Sequence, residues 1–207
     1  MTYIKNPDEI TKQSFAIIDR ESDLHTLPEE IRFVARRMIH TCGMLKLTNY
    51  LCYSEGAVVA GRSALDKGAH ILTDVTMVAA GINQSRLNSS NKVICTIGEK
   101  KVTEISQKLS ITRSAAAIDL WKPLLKGSIV AIGNAPTALF HLLEIIESER
   151  LKPALIIATP PGFVGAKESK DALINNNLSI PFIAIKGRIG GSALAAAAIN
   201  ALSREEQ

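Results

Sequence analysis

The sequence predicts a three-layer α/β fold with a mainly parallel sheet and helices on both faces. Three observations carry that expectation. The second half repeats one unit three times: a short apolar strand, a glycine- or proline-marked turn, and a helix. The three strands, SIVAI at 128–132, ALIIA at 154–158 and PFIAI at 181–185, are continuous apolar runs, the mark of strands buried on both faces. Hydrophobic residues make up 46% of the chain and aromatic ones only 4%, so the apolar mass is aliphatic and suits helices packed closely on a sheet.

Taken in order, Asn6 caps a first helix that begins at Pro7, with Asp8 and Glu9 at its positive end. That helix carries SFAII, in which Ser14 is polar among apolar neighbours and can bond its own backbone. Thr26 followed by Glu29 reads as a capping box opening a second helix. In 31–43, Ile31, Val34, Ala35, Met38 and Ile39 recur at helical spacing as a buried stripe, and Gly43 suits the left-handed residue that ends the helix. A third helix is expected over 54–67, stopping at Gly68. A short strand over 70–74 runs into a helical segment at 75–80, and a polar loop at 81–91 leads to a β-rich strand at 92–96. ITRSAAAIDLW, 111–121, forms a further helix.

The three strand–turn–helix units follow. Right-handed crossovers put their turns, 133–136, 159–165 and 186–192, on the carboxyl edge of the sheet, where ligands of such folds bind. The alanine-rich segment 193–198 lets the last helix approach the sheet closely.

Candidate functional residues fall in two places. His40 lies off the buried stripe at the negative end of its helix, a placement that favours imidazolium and suits a proton donor and acceptor. Read from that stretch alone, a helix-capping histidine is the preferred reading, since capping by such residues is common. On the carboxyl edge, Gly190, Gly191 and Ser192 open a helix with bare N–H groups, an anion site, and Lys186 and Arg188 add positive charge. Those glycines could equally serve only to make a tight turn. Asn134 and Thr137 offer polar contacts at the neighbouring turn. Arg113 stands in the first turn of its helix, against the dipole, so a negative group is expected to compensate it: a structural ion pair with Asp119 or Glu104 is the preferred reading, a ligand the alternative.

The length of 207 residues suits one domain, 1–207. The net charge of +4 is scattered, and with few aromatics to stack bases it points to an anionic small molecule and away from nucleic acid. No signal peptide is expected and no apolar run is long enough to span a bilayer. Cys42, Cys52 and Cys95 lack paired spacing and read as reduced thiols of a cytoplasmic protein. No Cys/His cluster suggests a metal, and neither the phosphate loop nor the dinucleotide fingerprint is present.

RMIHTCG, ITRSAAA, VAIGNAPTALFHLLE, GFVGAKESKDAL and KGRIGGSALAAAAINAL, in that order, resemble the precorrin-8X methylmutases. The resemblance runs from Ser14 to Leu202. It implies a flavodoxin-like sheet, a homodimer and an isomerase of cobalamin biosynthesis. That isomerase shifts a methyl from C-11 to C-12 of the corrinoid precorrin-8X to give hydrogenobyrinic acid; the alternative substrate is cobalt-precorrin-8, giving cobyrinic acid. His40 matches the family's catalytic histidine and Ser14 a substrate contact. Arg113, Arg188, Gly190, Gly191 and Ser192 match positions expected to hold substrate carboxylates. HTCG is nearer to the metal-free branch. A methyl shift within a conjugated ring needs no redox cofactor. Two other classes stay open at this point: a non-catalytic corrinoid carrier, and a phosphometabolite enzyme using the turn at 190–192.

Overall fold

Each apolar run of the second half becomes a strand, and each glycine-marked turn hands over to a helix. The computed structural model describes residues 3–88 and 90–203. In chain order the first half holds α1 (Pro7–Glu21), α2 (Glu29–Cys42), β1 (Leu51–Tyr53), α3 (Ala57–Asp66), β2 (Ile71–Thr73), α4 (Thr76–Gly81), β3 (Val93–Ile94) and α5 (Lys100–Leu109). The second holds α6 (Arg113–Asp119), α7 (Lys122–Leu125), β4 (Ile129–Ile132), α8 (Pro136–Glu149), β5 (Leu155–Ala158), α9 (Ala166–Asn175), β6 (Phe182–Ile185) and α10 (Ser192–Leu202).

The sheet runs β1-β6-β5-β4-β2-β3. β2 to β6 pair in parallel, and β1 joins the β6 edge antiparallel, with Leu51 opposite Ile185. Without β1, the parallel strands follow the 2-1-3-4-5 order of the flavodoxin-like folds, and their order reverses between β2 and β4.

Strand side chains alternate between two cores. Ile71, Ile129, Ala131, Ile157 and Ile183 face α2, α3, α4 and α10; Leu72, Val130, Ile132, Ile156 and Ala184 face α6 to α9. The last helix does lie close. A Cβ on Gly133 would stand 2.7 Å from the Cα of Ser192, and one on Gly81 would stand 2.7 Å from the Cβ of Ala196. Small residues on both sides of these contacts let α10 settle onto the β4 turn and α4.

Several expectations change. The capping box does not form: Pro28 holds the N-cap of α2, and the Thr26 hydroxyl donates to the Asp23 carbonyl inside a preceding 3-10 turn. α3 starts at Ala57, because Ser54 is bound to the sheet; its N–H donates to the Phe182 carbonyl and its Oγ accepts from the Phe182 N–H. β1, α5 and α7 are additions to the expected elements, and the helix expected over 111–121 is the shorter α6. The segment 81–91 includes a 3-10 turn at Gln84–Arg86.

Candidate functional site

The carboxyl edge is built around a buried carboxylate. Asp74, one residue past β2, is fully buried and accepts from the amides of Gly133 (3.0 Å), Asn134 (2.9 Å) and Ala135 (2.8 Å). Burial pushes its pKa above the ordinary aspartate value, and these amides pull the other way. The acceptor therefore occupies the point where strand order reverses, and the Asn134 side chain is left exposed beside it.

The next two turns form one braced unit. The Gly191 N–H donates to the Thr159 carbonyl (2.7 Å), and the Thr159 hydroxyl returns to the Gly191 carbonyl (3.0 Å). The Gly162 N–H donates to the Arg188 carbonyl (3.0 Å). Gly190 is glycine of necessity: its φ is 155°, and a Cβ there would run into the Thr159 carbonyl. The turn at 190–192 is thus not the row of bare N–H groups expected from its sequence. The Gly191 amide is engaged and Ser192 is buried.

Lys170 completes the brace. Its ammonium is fully buried and donates to the Ile189 carbonyl at 2.9 Å. Burial lowers its pKa to about 8, partly opposed by Asp171. Sequence reasoning passed it over, although Ala166, Ser169, Lys170 and Leu173 fall at the spacing of a buried helix face.

On the outside of this unit Arg188 is exposed, its guanidinium 5.4 Å from the ring centroid of Phe163. Lys186 is also exposed, and its N–H donates to the Tyr50 carbonyl (2.7 Å). That bond ties the segment leading out of α2 to the carboxyl edge.

His40 lies in the last turn of α2. Gly43 takes the left-handed conformation (φ 69°), and its own N–H closes the helix on the Ile39 carbonyl (2.8 Å). The imidazole is exposed and meets Phe15 of α1 edge-on. The guanidiniums of Arg36 and Arg37 lie 4.8 and 5.3 Å from the centroid of the same ring, and Arg36 also pairs with Asp19 at 3.1 Å. The expected stripe is buried as read.

Two predicted residues have local partners. The Ser14 hydroxyl donates to the Ile10 carbonyl at 2.8 Å, the self-bonded alternative; its neighbour Phe15 is the residue that touches His40. Arg113 pairs with neither Asp119 nor Glu104. Its guanidinium donates to the Ile97 carbonyl at 2.8 Å, while Asp119 engages Lys122 (3.0 Å) and His141 (3.1 Å). Thr112 and Thr137, with hydroxyls 2.8 Å apart, join the start of α6 to the start of α8.

The structure thus gathers Asn134, Arg188 and residues 190–192 on one edge of the sheet and sets His40 in the α1–α2 pair. Two cavities, of about 470 and 330 Å³, lie elsewhere, at the amino edge. One is beside Lys67, His70 and Ser128, the other beside Arg62, Arg86 and Asn91. Neither contains a predicted site residue. Among the described residues no group of three His, Cys, Asp or Glu could hold a metal ion, and no helix is long and apolar enough to cross a membrane.

Comparison with known proteins agrees with the motifs. The family profile described as Precorrin-8X methylmutase matches residues 9–205. A Pseudomonas aeruginosa protein named Precorrin-8X methylmutase is 48% identical over 205 residues, covering 99% of each chain. A Leptospira interrogans protein named Cobalt-precorrin-8 methylmutase is 40% identical over 200 residues, covering 93% of this chain and 91% of that one. The crystal structure of a precorrin-8X methylmutase from Thermus thermophilus superposes with a TM-score of 0.86 at 38% identity, covering 95% of this chain and 94% of that one.

Proposed function

This chain belongs to the precorrin-8X methylmutase family, isomerases of cobalamin biosynthesis, and on that premise we propose that it converts precorrin-8X to hydrogenobyrinic acid. One methyl leaves C-11 and bonds to C-12 of the same molecule, so the step is an isomerisation with no net change in electrons. His40 gives a proton to the ring system and takes it back, setting the tautomer from which the methyl migrates. The observation that carries this role is the exposed imidazole at the end of α2, not needed for the helix cap and flanked by the Phe15, Arg36 and Arg37 cluster. Arginines and an aromatic ring suit a macrocycle rimmed with carboxylates.

Arg188 and Asn134 bind the substrate from the carboxyl edge, with Gly190, Gly191 and Ser192 shaping the turn. Arg113 and Ser14 supply further polar contacts once substrate replaces or shares their local partners. The chain acts as one methylmutase domain, 1–207, in a cytoplasmic homodimer, and the reaction draws on no cofactor. The name of the Leptospira relative supports a second reading, cobalt-precorrin-8 as substrate and cobyrinic acid as product. The 48% identity to the Pseudomonas protein named for precorrin-8X favours the first.

Incubation of the purified protein with precorrin-8X, followed by visible absorbance, tests the reading. Conversion to hydrogenobyrinic acid is expected. Turnover of the cobalt form alone would establish the second reading, and binding without turnover would make the protein a carrier. Sedimentation as a stable monomer at micromolar concentration would remove the dimer.

A further inference from the structure

We propose that Phe163 is a substrate-contacting residue: its ring is an apolar platform against which the corrinoid lies, with Arg188 beside it to meet a peripheral carboxylate. The proposal rests on the corrinoid reading of the site given above. Phe163 is 82% exposed and Val164 91%, adjacent apolar side chains on the carboxyl edge. They project from a turn bounded by Gly162 and Gly165, with φ of 139° and 76°. That turn is not loose. The Gly162 amide is bound to the Arg188 carbonyl, Thr159 exchanges two hydrogen bonds with Gly191, and Lys170 holds the Ile189 carbonyl from below.

A braced turn that holds a phenyl ring in water forgoes the gain of burying it, which is regained only when something apolar covers the ring. Other apolar side chains stand exposed where chain segments reach the same edge: Tyr50, which precedes β1, and Met77, in the first turn of α4. A broad flat ligand fits such scattered supports better than a small one does.

Charge selects the occupant. The guanidinium of Arg188 lies against Phe163, and Lys186 is exposed two residues earlier. A two-fold contact between copies centred on this tip would set these cations against their own counterparts, whereas a carboxylate-rimmed ring neutralises them.

Titration with hydrogenobyrinic acid, read by visible absorbance, tests this with Phe163→Ala, Phe163→Leu, Arg188→Ala and the double variant Phe163→Ala/Arg188→Ala. Phe163→Ala is expected to weaken binding roughly tenfold, with or without Arg188, and Phe163→Leu to recover part of the loss. Melting temperature and sedimentation should not change. Unaltered affinity would overturn the proposal. So would a loss seen only when Arg188 is present, since Phe163 would then merely orient the guanidinium. Altered self-association with intact affinity would assign the tip to an interface between copies and overturn it too. Failure of the wild-type protein to bind would overturn this proposal together with the corrinoid reading, whereas wild-type binding indifferent to Phe163 would overturn this one alone.

Discussion

The imidazole of His40 meets the phenyl ring of Phe15 edge-on, with centroids 5.5 Å apart and planes at 83°. The contact biases the plane of the imidazole through packing, without using either ring nitrogen. Edge-to-face pairs contribute about 0.5–1.5 kcal/mol beyond burial, enough to bias one orientation of an exposed side chain. Phe15 in turn is held by the guanidiniums of Arg36 and Arg37.

His40→Ala is expected to abolish methyl migration while leaving corrinoid binding largely intact. The side chain is exposed and the helix cap is backbone, so truncation leaves no cavity and no broken cap. General acid–base groups supply about 10²–10⁴ in rate. Single turnover of precorrin-8X within a few-fold of wild type would remove His40 from the mechanism.

Arg188→Ala should weaken corrinoid binding by about 1.5–3 kcal/mol, the value of a hydrogen bond to a charged group. Folding should be spared, because the brace to Gly162 uses the Arg188 carbonyl and not its side chain. A lowered melting temperature beside unchanged affinity would make Arg188 structural.

Lys170 makes stability depend on pH in the alkaline range. Its pKa is about 8 in the folded protein, against 10.5 for an ordinary lysine, so between those values the unfolded chain binds more protons. Stability contributed through this group therefore rises with pH across that window. Wild type should gain on Lys170→Met by up to about 3 kcal/mol between pH 7 and 10.5. Urea unfolding across that range checks this, and parallel curves for the two proteins would contradict it.

Asp74→Ala should destabilise the fold by about 3–5 kcal/mol, since three amides lose their common buried acceptor. Asp74→Asn keeps one carbonyl oxygen and should lose less. Chemical denaturation measures both, and a loss below about 1 kcal/mol for the alanine variant would show that water replaces the carboxylate.

The second half was legible because its signals are local: apolar runs of strand length, each followed by glycine or proline. β1 escaped because Leu51–Tyr53 is three half-buried residues that become a strand only through pairing with β6. α5 escaped because its stripe is thin, Val102 buried, Ile105 half-buried and Leu109 largely exposed. Thr26 and Glu29 had the spacing of a capping box, but Pro28 starts the helix and Thr26 serves the turn before it. The carboxyl-edge placement of Asn134 and Arg188 followed from the strand–turn–helix order in a parallel sheet. The acceptors of Arg113 and Lys170 did not, since both are backbone carbonyls, which no side-chain pattern announces.

Asp74 makes the heart of the sheet self-ligated. In flavodoxin-like folds the crevice where strand order reverses receives a ligand such as a nucleotide cofactor. Here the amides after β4 hold the protein's own carboxyl group, an internal acceptor covalently present at every concentration of solute. The scaffold therefore needs no phosphate or substrate to complete it at this point, and a solute that could anchor only on these amides finds them taken and should leave the melting temperature unchanged. If the corrinoid binds as proposed, it rests on the rim beside this point and leaves by lifting off, without prising apart two strands.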